Sequence, residues 1–278
     1  MSQVSSLRPV GIVGPLSGAR AAYGQWLRRA AEGTTLPLLW ADDGADPAMA
    51  QVAARYLLDA GVEVVIGHFN SECARAAGRL YQAAGVPLLL PAATAPDLCR
   101  AVGAWRLCAS EERQVVVMLE YLARHAGQVE PLWAQPGAYG ERLAGALGEG
   151  LGGFSLSRAG PVVHGLMGSH VAVAREIQRR AQPGAVYLVP DDCLIDEFDS
   201  LLAGTGVVTL CPHATPDFGE CVGLALRLVE AARAGGHDLD GYLDAHPDFD
   251  QRQYRHADYR MVRREYPIEL PQHLARPL

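Results

Sequence analysis

Short apolar runs rich in β-branched residues alternate along this chain with longer stretches whose apolar residues recur at helical spacing. The clearest instance is Ile66–Asp97, IGHFNSECARAAGRLYQAAGVPLLLPAATAPD. Val62–Gly67 reads as a buried strand. Gly67 breaks it, Asn70 and Ser71 supply helix-capping chemistry, and a helix runs to near Gly85. Val86–Leu90 is a second buried strand, closed by Pro91. This βαβ unit predicts parallel strands and a right-handed crossover. Both strands then point their carboxyl ends, Gly67–Ser71 and Pro91–Thr94, at one edge of the sheet, where ligands bind in open α/β sheets. The Ser71 and Thr94 hydroxyls and the free amides of the helix start suit a small anion such as a carboxylate.

The same alternation extends in both directions. Arg8–Pro15 and Leu36–Trp40 read as strands, with a helix between them reaching Ala31. Pro47 opens a helix in which Val52, Tyr56, Leu57 and Ala60 keep a helical period. Trp105–Cys108 is a short strand leading out of this first doubly wound α/β domain. The pattern then restarts. Gln114–His125, Tyr139–Gly150, Val171–Ala181 and Leu194–Leu202 read as helices. Pro131–Gln135, Phe154–Ser157, Ala185–Val189 and Val207–Leu210 read as strands. Phe218–Ala234 is a long amphipathic helix, followed by a short one over Leu239–Ala245. Ala257–Arg263 is a candidate strand, and the proline-rich end YPIELPQHLARPL is expected to be an extended arm.

Composition narrows the function. The formal net charge of −7 argues against nucleic acid and against an anionic membrane surface. Lysine is absent, which removes Schiff-base chemistry and a Walker A loop. The six cysteines form no CxxC pair, which fits scattered thiols in a reducing compartment. The segment MSQVSSLRPVGIVGPL has neither the pattern of a secretory signal nor that of a membrane span. A cytoplasmic protein is therefore expected, or a periplasmic one whose signal peptide was removed. No cofactor, metal site or catalytic residue is predicted, and an enzyme is disfavoured but left open.

Several segments resemble the type I periplasmic solute-binding proteins, specifically the leucine/isoleucine/valine-binding kind of branched-chain amino-acid ABC transporters. They are GIVGPLSG with AAYG (Gly11–Gly18, Ala21–Gly24), ADDGADP (Ala41–Pro47), VIGHFNS (Val65–Ser71) and YQAAGVPLLLPAATAPDL (Tyr81–Leu98). The likeness is specific over the first 110 residues and thin beyond residue 150. It implies two Rossmann-like α/β lobes joined by a hinge, the second lobe reduced, closing on a ligand. Lobe 1 would be residues 1–108 plus 216–246, and lobe 2 residues 109–215 plus 247–278, with the last crossing near Pro247.

The resemblance assigns the ligand's carboxylate and ammonium to Ser71, Thr94 and the backbone of Ala92 and Ala93. It places Tyr23 and Tyr139 along the cleft. Three departures follow. The disulfide often found between the equivalents of ADDGADP and GHFNS has no cysteines here. The chain is shorter than the family norm, the missing part falling after Val207–Pro212. The acid that should meet the ammonium is replaced near its position by His213, with Asp191 and Asp192 at the adjacent strand end. The expected function is a non-catalytic binder of a small amino acid, related zwitterion or amide, acting as a cytoplasmic sensor or accessory protein. Left open are a transport receptor, an enzyme using Cys211, His213 or the two aspartates, and an interaction subunit with a homodimer or protein partner. Asp42 and Asp43 are expected to be solvated or capping.

Overall fold

The computed structural model describes residues 8–153, 155–157 and 159–268. The chain divides into two compact units. Unit 1 holds everything up to Ser110 together with Ala214–Asp258, and unit 2 holds Glu111–His213 and the chain from Tyr259. The chain thus passes between units at Ser110–Glu111, His213–Ala214 and Asp258–Tyr259.

Unit 1 begins with β1 (Val10–Gly14), α1 (Ala21–Ala30), β2 (Leu38–Asp42), α2 (Pro47–Asp59), β3 (Val64–Ile66), α3 (Ser71–Ala83), β4 (Leu88–Leu90), α4 (Leu98–Val102) and β5 (Trp105–Arg106). Unit 2 continues with α5 (Glu111–His125), β6 (Gln128–Val129), β7 (Trp133–Ala134), α6 (Ala138–Leu151), β8 (Val162–Met167), α7 (His170–Arg180), β9 (Val186–Leu188), α8 (Asp196–Leu202) and β10 (Val208–Thr215). The chain returns to unit 1 with α9 (Phe218–Ala234), α10 (Leu239–Asp244), β11 (Phe249–Asp250) and β12 (Gln253–Tyr254), and ends in β13 (Asp258–Glu265).

The sheet of unit 1 has the order β11-β12-β5-β4-β3-β1-β2. β3 lies parallel to β4, with Val65 opposite Leu88 and Ile66 opposite Leu89, so both strands end at one edge. β1 and β2 run the same way, Val10 opposite Leu38. The β11–β12 hairpin is antiparallel internally, and β12 adds to β5 in parallel. This hairpin explains why the third crossing falls at Asp258–Tyr259 and not near Pro247. Strands β11 and β12 extend the first sheet, and the chain enters the second unit from Tyr259 onward.

The core of unit 1 combines strand residues Val13, Val65, Leu88 and Leu90 with the alanine-rich faces of α2 and α3. In α2 the buried positions are Ala50, Ala53, Ala54 and Leu57. Val52 and Tyr56 are half-exposed, which corrects the face predicted from their periodicity. Small residues let α2 approach its neighbour closely, so the larger apolar side chains turn outward. Asp46 caps this helix by accepting from the amides of Ala48 and Met49.

The sheet of unit 2 has the order β13-β10-β9-β8-β6, with β7 also pairing β8. Its core sets Val115, Met118, Leu119 and Leu122 of α5 and Leu143 and Leu147 of α6 against Val163, Val186, Leu188, Val208 and Leu210. Two expectations fail here. Residues 155–157 form no strand, and Phe154 lies outside the described residues. The strand is β8, a little later, where His164 and Gly165 interrupt the apolar run in the sequence. The expected strand at Pro131–Gln135 is the much shorter β7. Of the proline-rich end, residues 269–278 lie outside the described residues. Among the described residues, no helix is long and apolar enough to cross a membrane.

Candidate functional site

The carboxyl edge of unit 1 is built by the turns after β3 and β4. Gly67 leaves β3 at φ +135°, and a Cβ there would overlap the Val13 carbonyl oxygen, so only glycine makes this turn. Phe69 then packs 5.9 Å from Tyr23 and 6.4 Å from Phe218, ring centre to ring centre. Tyr23 also meets Trp26 at 5.8 Å and carries the Arg20 guanidinium 4.9 Å above its ring. Tyr23 is therefore buried, 2% exposed, and it braces the turn through Phe69.

Ser71 is the first residue of α3, with Asn70 as the N-cap making no side-chain cap bond. The Ser71 hydroxyl does not cap its own helix. Its Oγ accepts from the Ala95 amide at 3.2 Å and so ties the two turns together. Ala92, Ala93 and Thr94 are all buried. The Arg106 guanidinium, 1% exposed, holds this second turn from beneath. Its Nη1 donates to the carbonyls of Thr94 (3.2 Å) and Ala95 (2.9 Å), and its Nη2 donates to Gln253 Oε1 (2.7 Å). The first amides of the 13-residue helix α3 have no intrahelical partner and carry the positive end of its dipole. This edge is thus a cradle of donors.

Beside it lies a network that the residue pattern did not reveal. Asp43 and His68 are fully buried, with His68 Nδ1 at 2.7 Å from Asp43 Oδ2. His68 Nε2 is 3.3 Å from the Tyr81 hydroxyl. All three groups are satisfied when Nδ1 donates to the carboxylate and Nε2 accepts from the tyrosine. Asp43 is therefore buried and paired, not solvated, while its Oδ1 accepts from the Ala45 amide at 2.9 Å as the capping alternative expects. Asp42 accepts from the amides of Leu16 and Gly44 at 2.9 and 2.8 Å. Burial works to raise its pKa, but hydrogen bonds led by that from Ser17 outweigh it and leave the value below the usual carboxylate range.

The carboxyl edge of unit 2 is acidic. Asp191 and Asp192 follow β9 in a short 3₁₀ turn, both nearly buried. Tyr139 donates to Asp191 Oδ1 at 3.0 Å and Tyr259 to Oδ2 at 2.7 Å. Burial, helped by the charge of Asp192, raises the pKa of Asp191 to about 6, while bonds from Tyr259, Tyr139 and Gln114 hold it down. Asp192 accepts from the His170 amide at 2.9 Å, and His170 Nε2 lies 3.0 Å from Glu197. Glu111 receives the Arg142 fork at 2.6 and 2.8 Å. Gly140 lets α6 start against the strands, since a Cβ there would sit 2.6 Å from the Gln135 carbonyl oxygen.

Of the residues predicted to form a site, Ser71, Ala92, Ala93 and Thr94 are together in unit 1, and Tyr139, Asp191 and Asp192 are together in unit 2. Tyr23 is withdrawn into an aromatic cluster. His213 stands on β10, two residues from Cys211. The Cys211 thiol donates to the Pro190 carbonyl at 3.1 Å, and burial pushes its pKa up, which opposes a nucleophilic thiolate. Reasoning from sequence missed Phe69, His68, Arg106 and Tyr259. A lone Phe, His, Arg or Tyr in a loop or strand has no spacing signal of its own.

An α/β chain with donor-rich and acid-rich strand ends matches a class of binding proteins. Residues 9–144 match the family described as "Periplasmic binding protein". A "Leu/Ile/Val-binding protein homolog 2" of Brucella abortus is 30% identical over 129 residues, covering 41% of this chain and 35% of that protein. The match thus spans about a third of that relative's own length. Among solved structures, the branched-chain amino acid transporter substrate binding protein LivJ of Streptococcus pneumoniae, bound to isoleucine, superposes with a TM-score of 0.76 at 15% identity, covering 92% of this chain and 100% of that one. A solute binding protein of an ABC transporter from Rhodopseudomonas palustris BisB5, bound to 3,4-dihydroxy benzoic acid, gives 0.72 at 14% identity, covering 93% and 92%. Over its first half the chain is thus similar to the periplasmic binding proteins of the Leu/Ile/Val-binding kind, and its α/β fold is that of the solved neighbours. The comparisons support neither the expected cytoplasmic location nor a homodimer.

Proposed function

We propose that this chain is a non-catalytic binding protein for a small amino acid, or for a related zwitterion or amide. The observation that carries this reading is the Ser71–Ala95 bond. It joins the two turns of unit 1 into one donor cradle with the α3 N-terminus, suited to a carboxylate. The residues of unit 2 named in the same role, Tyr139, Asp191 and Asp192, present acid where a cation or an N–H would be recognised. The isoleucine and dihydroxybenzoate of the two solved relatives both carry a carboxylate, which agrees with the cradle as the shared feature. Ligand would shift an equilibrium between conformations that a partner reads, as for a receptor of a transporter.

The second reading is a cytoplasmic sensor. It is favoured by the six cysteines, all buried, which suit a reducing compartment. Cell fractionation separates the two locations.

The binding reading is tested by thermal-shift screening with amino acids, amino-acid amides and hydroxybenzoates, followed by calorimetry on each hit. A stabilising ligand should be recovered unchanged. Ser71→Ala with Thr94→Val should weaken it by at least about tenfold, from the loss of charge-assisted bonds. An unchanged affinity in that double variant would remove the cradle from the site.

A further inference from the structure

Unit 2 contains a cavity of about 210 Å³ lined by Tyr121, His125, Ala126, Pro161, Val163, Val186, Leu210 and Arg263. It lies toward the amino ends of the strands. Val163 is the second residue of β8 and pairs with Val186, the first of β9. Asp191 lies five residues further on, about 16 Å of extended chain. The cavity is therefore separate from the acidic edge described above and rests on other residues.

The chemistry of its walls is divided. Ala126, Val163, Val186 and Leu210 form a buried apolar floor. The rim is polar: Tyr121 and His125, with ring centres 4.5 Å apart at the end of α5, and Arg263 of β13. An apolar cavity of about 150 Å³ suffices for benzene, so this one takes a six-membered ring or a branched chain. The Arg263 guanidinium is exposed and bonds Glu265 Oε1 from Nε (3.1 Å) and Nη2 (2.9 Å). An exposed pair of this kind contributes little and is readily exchanged for another carboxylate. The planar fork of arginine matches a carboxylate in a way that a point charge does not.

We propose that this cavity is a second small-molecule site that takes an amphipathic monocarboxylate. The apolar body rests on Val163, Val186 and Leu210, Tyr121 flanks it, and the carboxylate replaces Glu265 on Arg263 beside His125.

The test is a titration of the whole protein, methyl-labelled at Val and Leu, with cyclohexanecarboxylate as probe and cyclohexanecarboxamide as the uncharged control. Saturable shifts are expected at the methyls of Val163, Val186 and Leu210, and they should persist in the Ser71→Ala/Thr94→Val variant. Arg263→Gln, an exposed change that leaves the fold intact, should weaken the carboxylate about tenfold, and the carboxamide should bind as weakly to the native protein. No saturable shift at these methyls, or equal affinity for acid and amide in the presence and absence of Arg263, overturns the proposal. Shifts abolished by Ser71→Ala/Thr94→Val and untouched by Arg263→Gln also overturn it, while leaving the donor cradle of unit 1 standing.

Discussion

Unit 1 fixes its carboxyl edge with neutral donors, a glycine turn and one buried guanidinium, whereas unit 2 fixes the equivalent edge with carboxylates. In unit 1 the negative charge of Asp43 is turned inward to His68, and the edge shows the hydroxyl of Ser71 and the amides of α3. In unit 2, Asp191 and Asp192 stand at the edge itself, the tyrosines donating to Asp191 and the His170 amide to Asp192. Similar strand–helix architecture thus carries opposite electrostatics, because the chemistry resides in the turns and the sheet only sets where those turns begin.

The sharpest way to break this comparison is at Gly67. Gly67→Ala drives a methyl group into the Val13 carbonyl at a positive φ. It should cost about 4 kcal/mol in urea unfolding and displace the cradle turn. A loss below about 1 kcal/mol would mean that the turn is not held as described. Next comes Asp43→Ala, which strands a fully buried histidine. About 3 kcal/mol should be lost, with no comparable effect from Asp42→Ala.

The pH dependence sharpens the contrast from the other side. The folded-state pKa of Asp191, about 6, lies above the ordinary 3.8. Folding therefore favours its protonated form, and the stability this adds is complete below about pH 4 and gone as pH rises through 6. Relative to Asp191→Asn, the native protein should lose about 3 kcal/mol between pH 4 and pH 7. Urea midpoints for both proteins across that range check the sign. A difference that is flat, or that grows in favour of the native protein, would refute the buried-acid account. Tyr259→Phe removes one of two tyrosine donors and should cost about 1 kcal/mol at pH 7, raising the Asp191 value further. The smallest effect is expected at Val52→Ser. That side chain is 53% exposed, so stability should change by no more than about 0.5 kcal/mol.

The β3–α3–β4 unit was legible because strand, capping signal, helix and strand each have a local pattern. The place of Ser71 and Thr94 at one edge followed from parallel pairing alone. What Ser71 bonds to was not legible: an amide 24 residues away outcompetes the helix it begins, and that depends on loop closure in three dimensions. Asp43 looked like a surface carboxylate because its partner, His68, is 25 residues away on another strand's end. β8 was overlooked since His164 and Gly165 dilute a strand that neighbours on both sides nevertheless pair. Tyr259 lies in a stretch whose burial comes from β13 joining the second sheet, which no local pattern announces.

Arg106 has a consequence for the order in which this protein is made. Its guanidinium binds both carbonyls of the cradle turn and the side chain of Gln253, and β12 completes the sheet beside it. Although the cradle is encoded within the first hundred residues, the bonding of the guanidinium beneath it is completed only once the chain has been synthesised past residue 253. A nascent or prematurely terminated product would carry every ligand-contacting group proposed for unit 1, and Arg106 itself, without the Gln253 side chain and the β12 strand that complete the bonding around that guanidinium.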